Sequence, residues 1–179
     1  MGNSVGCLTR KSLKVDPTTQ QDSIYEWQKH HEILRKSWEL ICQQKTDNGV
    51  SVFINLIKLS PATKIYFHGV DFEKRDSYLA KNTFLRNHAA RFMEAINVII
   101  GQDMDIFSVE SYFRVVGSKH HSYNLKLEHV QDISDAFLEM ARNALKKKFT
   151  KSTEAAWRSF FQMVTDAIKN GIMKAQNRN

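Results

Sequence analysis

The feature that most constrains this chain is the helical period of its apolar residues, which very few helix breakers interrupt. Apolar side chains recur at three- and four-residue steps along most of the sequence, the spacing that places them on one face of an α-helix. The 179 residues include only 2 prolines and 7 glycines, and the alternation typical of β-strands is scarce. With 42% hydrophobic residues, a chain of this length can bury about 70% of its unfolded surface. The sequence therefore predicts a single all-α domain.

Two of the apolar stripes contain a histidine. The first, Phe84 to Ile99, includes His88, and the second runs from Phe113 to His120. Between them, Gly101-Gln102-Asp103 is expected to end the first helix and let the chain return, so that the two stripes face each other. A single histidine on an apolar face is more often a hydrogen-bonded core residue. Two neutral imidazoles facing each other across an apolar pocket suit a haem iron.

Local signals predict the other element boundaries in the first half of the chain. Residues 1 to about 25 are polar, lack an apolar stripe and are expected to form a flexible leader. A helix follows over Ile33–Cys42, and Asp47-Asn48-Gly49 is expected to end it and cap the next helix. Ser60-Pro61 predicts the start of a short helix, because proline suits a first turn. After Phe67, the charged stretch 69–77 is expected to be a mobile connection.

The second half predicts two long amphipathic helices, Leu125–Lys148 and Thr153–Lys174, with Thr150 as a cap between them. The lysines at 146–148 fit the carboxyl end of a helix, where cations meet the negative end of the dipole.

Charge and cysteine content exclude several classes of protein. The formal net charge is +7, but no nucleic-acid-binding motif accompanies it, so we do not expect a nucleic-acid partner. Two cysteines, Cys7 and Cys42, are too few for a disulfide framework and indicate a reduced, intracellular compartment. No apolar run approaches the ~20 residues of a membrane span, and the first residues lack the apolar region of a signal peptide.

Several short motifs together resemble the globin family. They are Arg35-Lys36-Ser37-Trp38, Pro61 with Phe67 six residues later, Val116-Gly117-Ser118-Lys119-His120, and Phe149-Thr150 followed by Ala155-Ala156-Trp157. The spacing from His88 to His120 is also the one that the family uses. The resemblance runs over about residues 28 to 172 and is to neuroglobin-like members of the family. It implies a three-over-three helical sandwich, with a haem-binding domain at residues 26–175 and a tail at 176–179.

The resemblance also implies roles for individual residues. His120 would be the proximal iron ligand, His88 the distal histidine, and Phe67 the ring stacked on haem b. The remaining pocket residues would be Phe53, Phe92, Ile96, Val116, Leu125, Val130 and Ile133. No apolar stripe or family motif like those around His88 and His120 includes His30, His31, His68 or His129. His121 is expected to be exposed.

Two roles remain open for His88: to donate a hydrogen bond to bound dioxygen, or to coordinate the iron as a sixth ligand. We hypothesise bis-histidyl iron, because the residues around His88 resemble those of neuroglobin. Three functions follow: a redox or electron-transfer globin with an unidentified electron donor or acceptor, a five-coordinate globin that binds dioxygen or another diatomic gas for storage or sensing, or a scaffold without haem. Nothing in the chain specifies a dedicated enzymatic activity.

The first seven residues, Met1 to Cys7, resemble a substrate of N-myristoylation at Gly2 with a palmitoylation site at Cys7. Gly6 stands where serine or threonine is usual. A single myristoyl chain binds membranes only marginally, with a constant of about 10⁴ M⁻¹, so a second acyl chain is needed for stable attachment. Basic residues at 10, 11 and 14 would add attraction to an anionic leaflet. This predicts a lipid-anchored protein at the cytoplasmic face of the plasma membrane.

Overall fold

The computed structural model describes residues 17–102 and 104–177, without the side chains of residues 17–24 and 26. Within this part of the chain the regular elements are all helical, which confirms the prediction of an all-α protein. The α-helices are α1 (Pro17–Ile41), α2 (Lys45–Leu59), α3 (Asp76–Leu79), α4 (Thr83–Gly101), α5 (Ile106–His121), α6 (Leu127–Val130), α7 (Asp132–Leu145) and α8 (Lys151–Gln176). Three 3₁₀ helices cover Cys42–Gln44, Pro61–Tyr66 and Lys146–Lys148.

The helices form two layers around one apolar core. Helices α1, α4 and α5 lie over α2, α7 and α8, with the main contacts of α5 on α8 and of α2 on both α4 and α7. The core includes Phe137, Trp157 and Phe161, whose side chains are fully buried. The indole of Trp157 keeps its hydrogen bond there, because Nε1 donates to Ser37 Oγ at 3.0 Å. This is the three-over-three sandwich that the resemblance implied.

Two glycines allow α5 and α8 to touch through their backbones. A Cβ atom on Gly117 would lie 2.1 Å from the carbonyl oxygen of Ile168, and one on Gly171 would lie 2.1 Å from that of Arg114. Ser118 Oγ also donates to the Gly171 carbonyl at 3.1 Å. Since Gly117 lies three residues before His120, this contact sets the position of the helix that carries His120.

Two boundaries in the first half differ from those predicted. Helix α1 begins at Pro17, so residues 17–25, where no apolar stripe predicted a helix, are helical. Proline is suited to a first turn, and a polar stretch of helix has no apolar period by which sequence could detect it. Asp47-Asn48-Gly49 lies inside α2 instead of between two helices. Asn48 still acts on the preceding helix, because its Nδ2 donates to the carbonyl of Ile41 at 2.8 Å.

The predicted helix Leu125–Lys148 is wrong as a single element. It is divided into α6, α7 and a 3₁₀ turn. The interruption falls at Gln131, whose side-chain oxygen accepts hydrogen bonds from Thr165 and Lys169 of α8, both at 3.2 Å. The last helix is confirmed, two residues longer at each end than predicted, and Thr150 caps it by accepting from the Thr153 amide at 3.2 Å.

The predicted ends of the neighbouring elements also hold, with two differences on the surface. Helix α4 ends at Gly101, and Pro61 opens its short helix. Phe84, placed in the first apolar stripe, is 45% exposed, while His121, expected to be exposed, is half-buried. None of the helices in the described ranges is long and apolar enough to cross a membrane.

Candidate functional site

The structure brings the two predicted histidines together. His88 on α4 and His120 on α5 have ring centroids 6.3 Å apart, with their planes at 70°. Two phenylalanines pack edge-on against the His88 ring: Phe53 of α2 at 4.8 Å and Phe67, directly after the 3₁₀ helix, at 5.9 Å. Both phenylalanines are buried, so the space beside His88 is apolar and aromatic on this side.

A backbone carbonyl fixes the orientation of the His120 ring. Its Nδ1 lies 2.9 Å from the carbonyl oxygen of Val116, one turn earlier in α5. Because a carbonyl oxygen only accepts, Nδ1 must carry the proton and Nε2 is left with a free lone pair in the neutral ring. This arrangement, in which one imidazole nitrogen is held by a backbone carbonyl, is the usual way that proteins orient a metal-binding histidine.

His88 is held in its neutral form. Burial, followed by the neighbouring His120 and Arg91, lowers the pKa of His88 to about 4. At neutral pH the ring therefore carries no charge, and one of its nitrogens has a lone pair available for a metal ion.

The other predicted pocket residues divide into two groups. Phe92 shares an aromatic cluster with Phe53, at 5.4 Å between ring centroids, and stacks on Phe161 at 6.5 Å and 18°. Val116 belongs to the site through its carbonyl. The remaining four differ in burial: Ile96 and Val130 are buried, and Leu125 and Ile133 are half-buried.

Three residues near the site were not predicted. The Phe72 ring packs on Phe67 at 5.9 Å, and Tyr66 Oη lies 2.9 Å from Nδ1 of His129. Tyr66 directly precedes Phe67, and His129 directly precedes Val130. Both Phe67 and Val130 were predicted to line the pocket, so their sequence neighbours could have been predicted to lie near it. Phe72 lies in a charged stretch and carries no such signal.

The donor set fits a haem iron. With a metal–nitrogen bond of about 2 Å and about 1.2 Å from that nitrogen to the ring centre, two imidazoles on opposite sides of one metal ion hold their centroids about 6 to 6.5 Å apart. The observed 6.3 Å lies in that range. His88 and His120 would each hold the iron of a haem through one ring nitrogen, and the aromatic rings of Phe53 and Phe67 would offer the porphyrin an apolar surface.

Comparison with known proteins identifies the class. The model of the family described as "Globin" matches residues 50–168, and the chain belongs to the globin family. It is 25% identical to the neuroglobin of Dissostichus mawsoni over 148 residues, which is 82% of this chain and 92% of that protein. The neuroglobin of Chaenocephalus aceratus and neuroglobin-2 of Oncorhynchus mykiss match with the same identity and coverage. Membership of the globin family indicates that the chain binds haem and dioxygen or another diatomic gas.

Proposed function

We propose that this globin binds haem b through both His120 and His88, and that it acts in electron transfer or redox signalling. The observation that carries the proposal is the 6.3 Å separation of the two rings. A distal histidine that donates to a bound gas must lie farther away, since the gas and a hydrogen bond of about 2.9 Å fit between the metal and its ring. The separation therefore supports direct coordination by His88.

The residues of the site have different roles. His120 offers Nε2, because Nδ1 donates to Val116, and the low pKa of His88 keeps its own lone pair available. Phe53 and Phe67 exclude water beside His88. Bound haem would supply a one-electron change between ferrous and ferric iron and a binding position for a diatomic gas. His120 and His88 would hold the group in both oxidation states with little movement of their side chains, which favours electron exchange.

Electron paramagnetic resonance of the ferric protein tests this coordination. We expect a low-spin signal in the wild type and a high-spin signal in His88→Leu. A high-spin signal in both proteins would contradict the proposal and favour five-coordinate iron, with oxygen storage or sensing as the function. In that case the ferrous protein should also stay reduced in air and bind oxygen reversibly.

We further propose that acyl chains on Gly2 and Cys7 hold the protein at the inner leaflet of the plasma membrane. Both residues lie outside the described part of the chain, and the support for this step is the sequence of the first seven residues. Attachment to a surface suits exchange of electrons with a membrane partner better than bulk carriage of oxygen.

Cell fractionation tests the membrane attachment. Gly2→Ala should move the protein from the membrane to the soluble fraction, because the acyl amide forms on the amine of Gly2. Gly6→Ala, which leaves that amine in place, is the matched control and should remain at the membrane. Equal membrane fractions for the two variants would contradict the proposal.

A further inference from the structure

The hydroxyl of Tyr66 bridges two segments on opposite sides of the site. Tyr66 ends the 3₁₀ helix Pro61–Tyr66, and its Oη accepts a hydrogen bond from the backbone amide of Lys126 at 3.2 Å. The same oxygen lies 2.9 Å from Nδ1 of His129. Across the described residues, these are the hydrogen bonds that join residues 61–72 to residues 122–130.

Only one of these bonds has a fixed direction. An amide can only donate, so Tyr66 Oη accepts from Lys126, whereas the direction of its bond with Nδ1 of His129 depends on the His129 tautomer. On the other side of the same ring, Nε2 of His129 lies 3.7 Å from the Glu128 carboxylate. The His129 side chain is only 10% exposed, so water competes little for its hydrogen bond with Tyr66. Both hydrogen bonds of Tyr66 are therefore satisfied within the protein.

Each end of this bridge leads to one of the two imidazoles. On one side, Phe67 follows Tyr66 directly and packs its ring against His88 at 5.9 Å. On the other side, the amide of Leu125, the residue before Lys126, lies 3.4 Å from the carbonyl of His120. One hydroxyl thus connects the residue that supports His88 with the loop that follows His120.

We propose that Tyr66 is a positioning residue that holds the two imidazoles at the separation needed to bind one iron. The inference rests on the proposed bis-histidyl coordination. When the bridge is lost, the loop after His120 and the segment before Phe67 move independently, and His88 leaves the iron more readily. An external gas can bind only after His88 has left the iron. Faster departure of His88 therefore makes the gas bind faster.

The test measures carbon monoxide binding to the ferrous protein by stopped flow, at concentrations high enough that the rate reaches a plateau set by His88 departure. Tyr66→Phe removes the hydroxyl and keeps the ring. From the usual net contribution of one or two hydrogen bonds, we expect its plateau rate to rise about three- to tenfold. Tyr123→Phe is the matched control: Tyr123 lies in the same loop and is 74% exposed, and its plateau should equal that of the wild type.

A second comparison separates positioning from general loosening. In a His88→Leu background there is no internal ligand to displace, so Tyr66→Phe should leave the carbon monoxide rate unchanged. A similar acceleration in that background would overturn the inference.

The remaining outcomes separate this inference from the proposed function. If the wild type reaches a plateau but Tyr66→Phe matches Tyr123→Phe, the positioning role is wrong and the coordination stands. A wild-type rate that rises linearly with carbon monoxide, without a plateau, would overturn both.

Discussion

Replacement of Gly117 by alanine should destabilise the protein strongly, although alanine is the better helix former. Alanine gains about 1 kcal/mol over glycine inside a helix. At Gly117, however, the new Cβ would lie 2.1 Å from the Ile168 carbonyl oxygen and 2.8 Å from its carbon, where ordinary contact begins at 3.4 Å. Overpacking typically costs 1–3 kcal/mol. Here the obstacle is backbone, which cannot rotate away, so we take the upper end of that range and, after the gain in helix propensity, expect a net loss of about 2 kcal/mol.

Gly101→Ala is the matched control for this prediction. Gly101 also lies in a helix, is exposed, and a Cβ there would meet nothing within 4 Å. Its replacement should be neutral or stabilise by up to about 1 kcal/mol. Urea unfolding of the two variants gives the difference between their free energies of unfolding, which we expect to be about 2 to 3 kcal/mol when the slopes agree. Equal free energies of unfolding would refute the argument that α5 and α8 meet through their backbones at Gly117.

Two further predictions concern His88 and the start of the last helix. The pKa of His88 is about 4 in the folded chain against 6.5 as the ordinary value, so the unfolded chain binds more protons below pH 6.5. The haem-free protein should therefore lose about 2 kcal/mol of stability between pH 7 and pH 5, and urea unfolding of His88→Leu should show this loss much reduced. Thr150→Ala removes the cap of α8 and should lower the free energy of unfolding by about 1 kcal/mol in the same assay. A decrease of less than a few tenths of a kcal/mol would show that the cap contributes little.

The sequence predicted those features that depend on neighbouring residues. The period of apolar residues gave the long helices, Gly101 and Pro61 marked real boundaries, and Thr150 caps its helix as expected. Family spacing singled out His88 and His120, and the fold brings them together. These features depend on neighbouring residues or on the order and spacing of motifs along the chain, so the sequence alone could predict them.

Features that depend on contacts between distant residues were missed. The predicted helix is interrupted at Gln131, whose side chain bonds to residues of α8 more than 30 positions later. Gly49 was expected to cap a helix but instead lets α2 approach α4, since a Cβ there would lie 2.6 Å from Met93 Cγ. Tyr66 and His129, 63 residues apart, form a pair that no spacing rule indicates. Likewise, the 6.3 Å between the imidazoles depends on how α4 packs on α2 and α5 packs on α8, and it has no counterpart in the sequence.

The coordination of the iron is the central claim, and one spectrum tests it most directly. The visible absorption of the haem-reconstituted protein, reduced with dithionite under argon, should show sharp, split bands. In His88→Leu these should collapse to one broad band, because the sixth ligand is gone. A single broad band in both proteins would contradict the account and mean that His88 does not bind the ferrous iron.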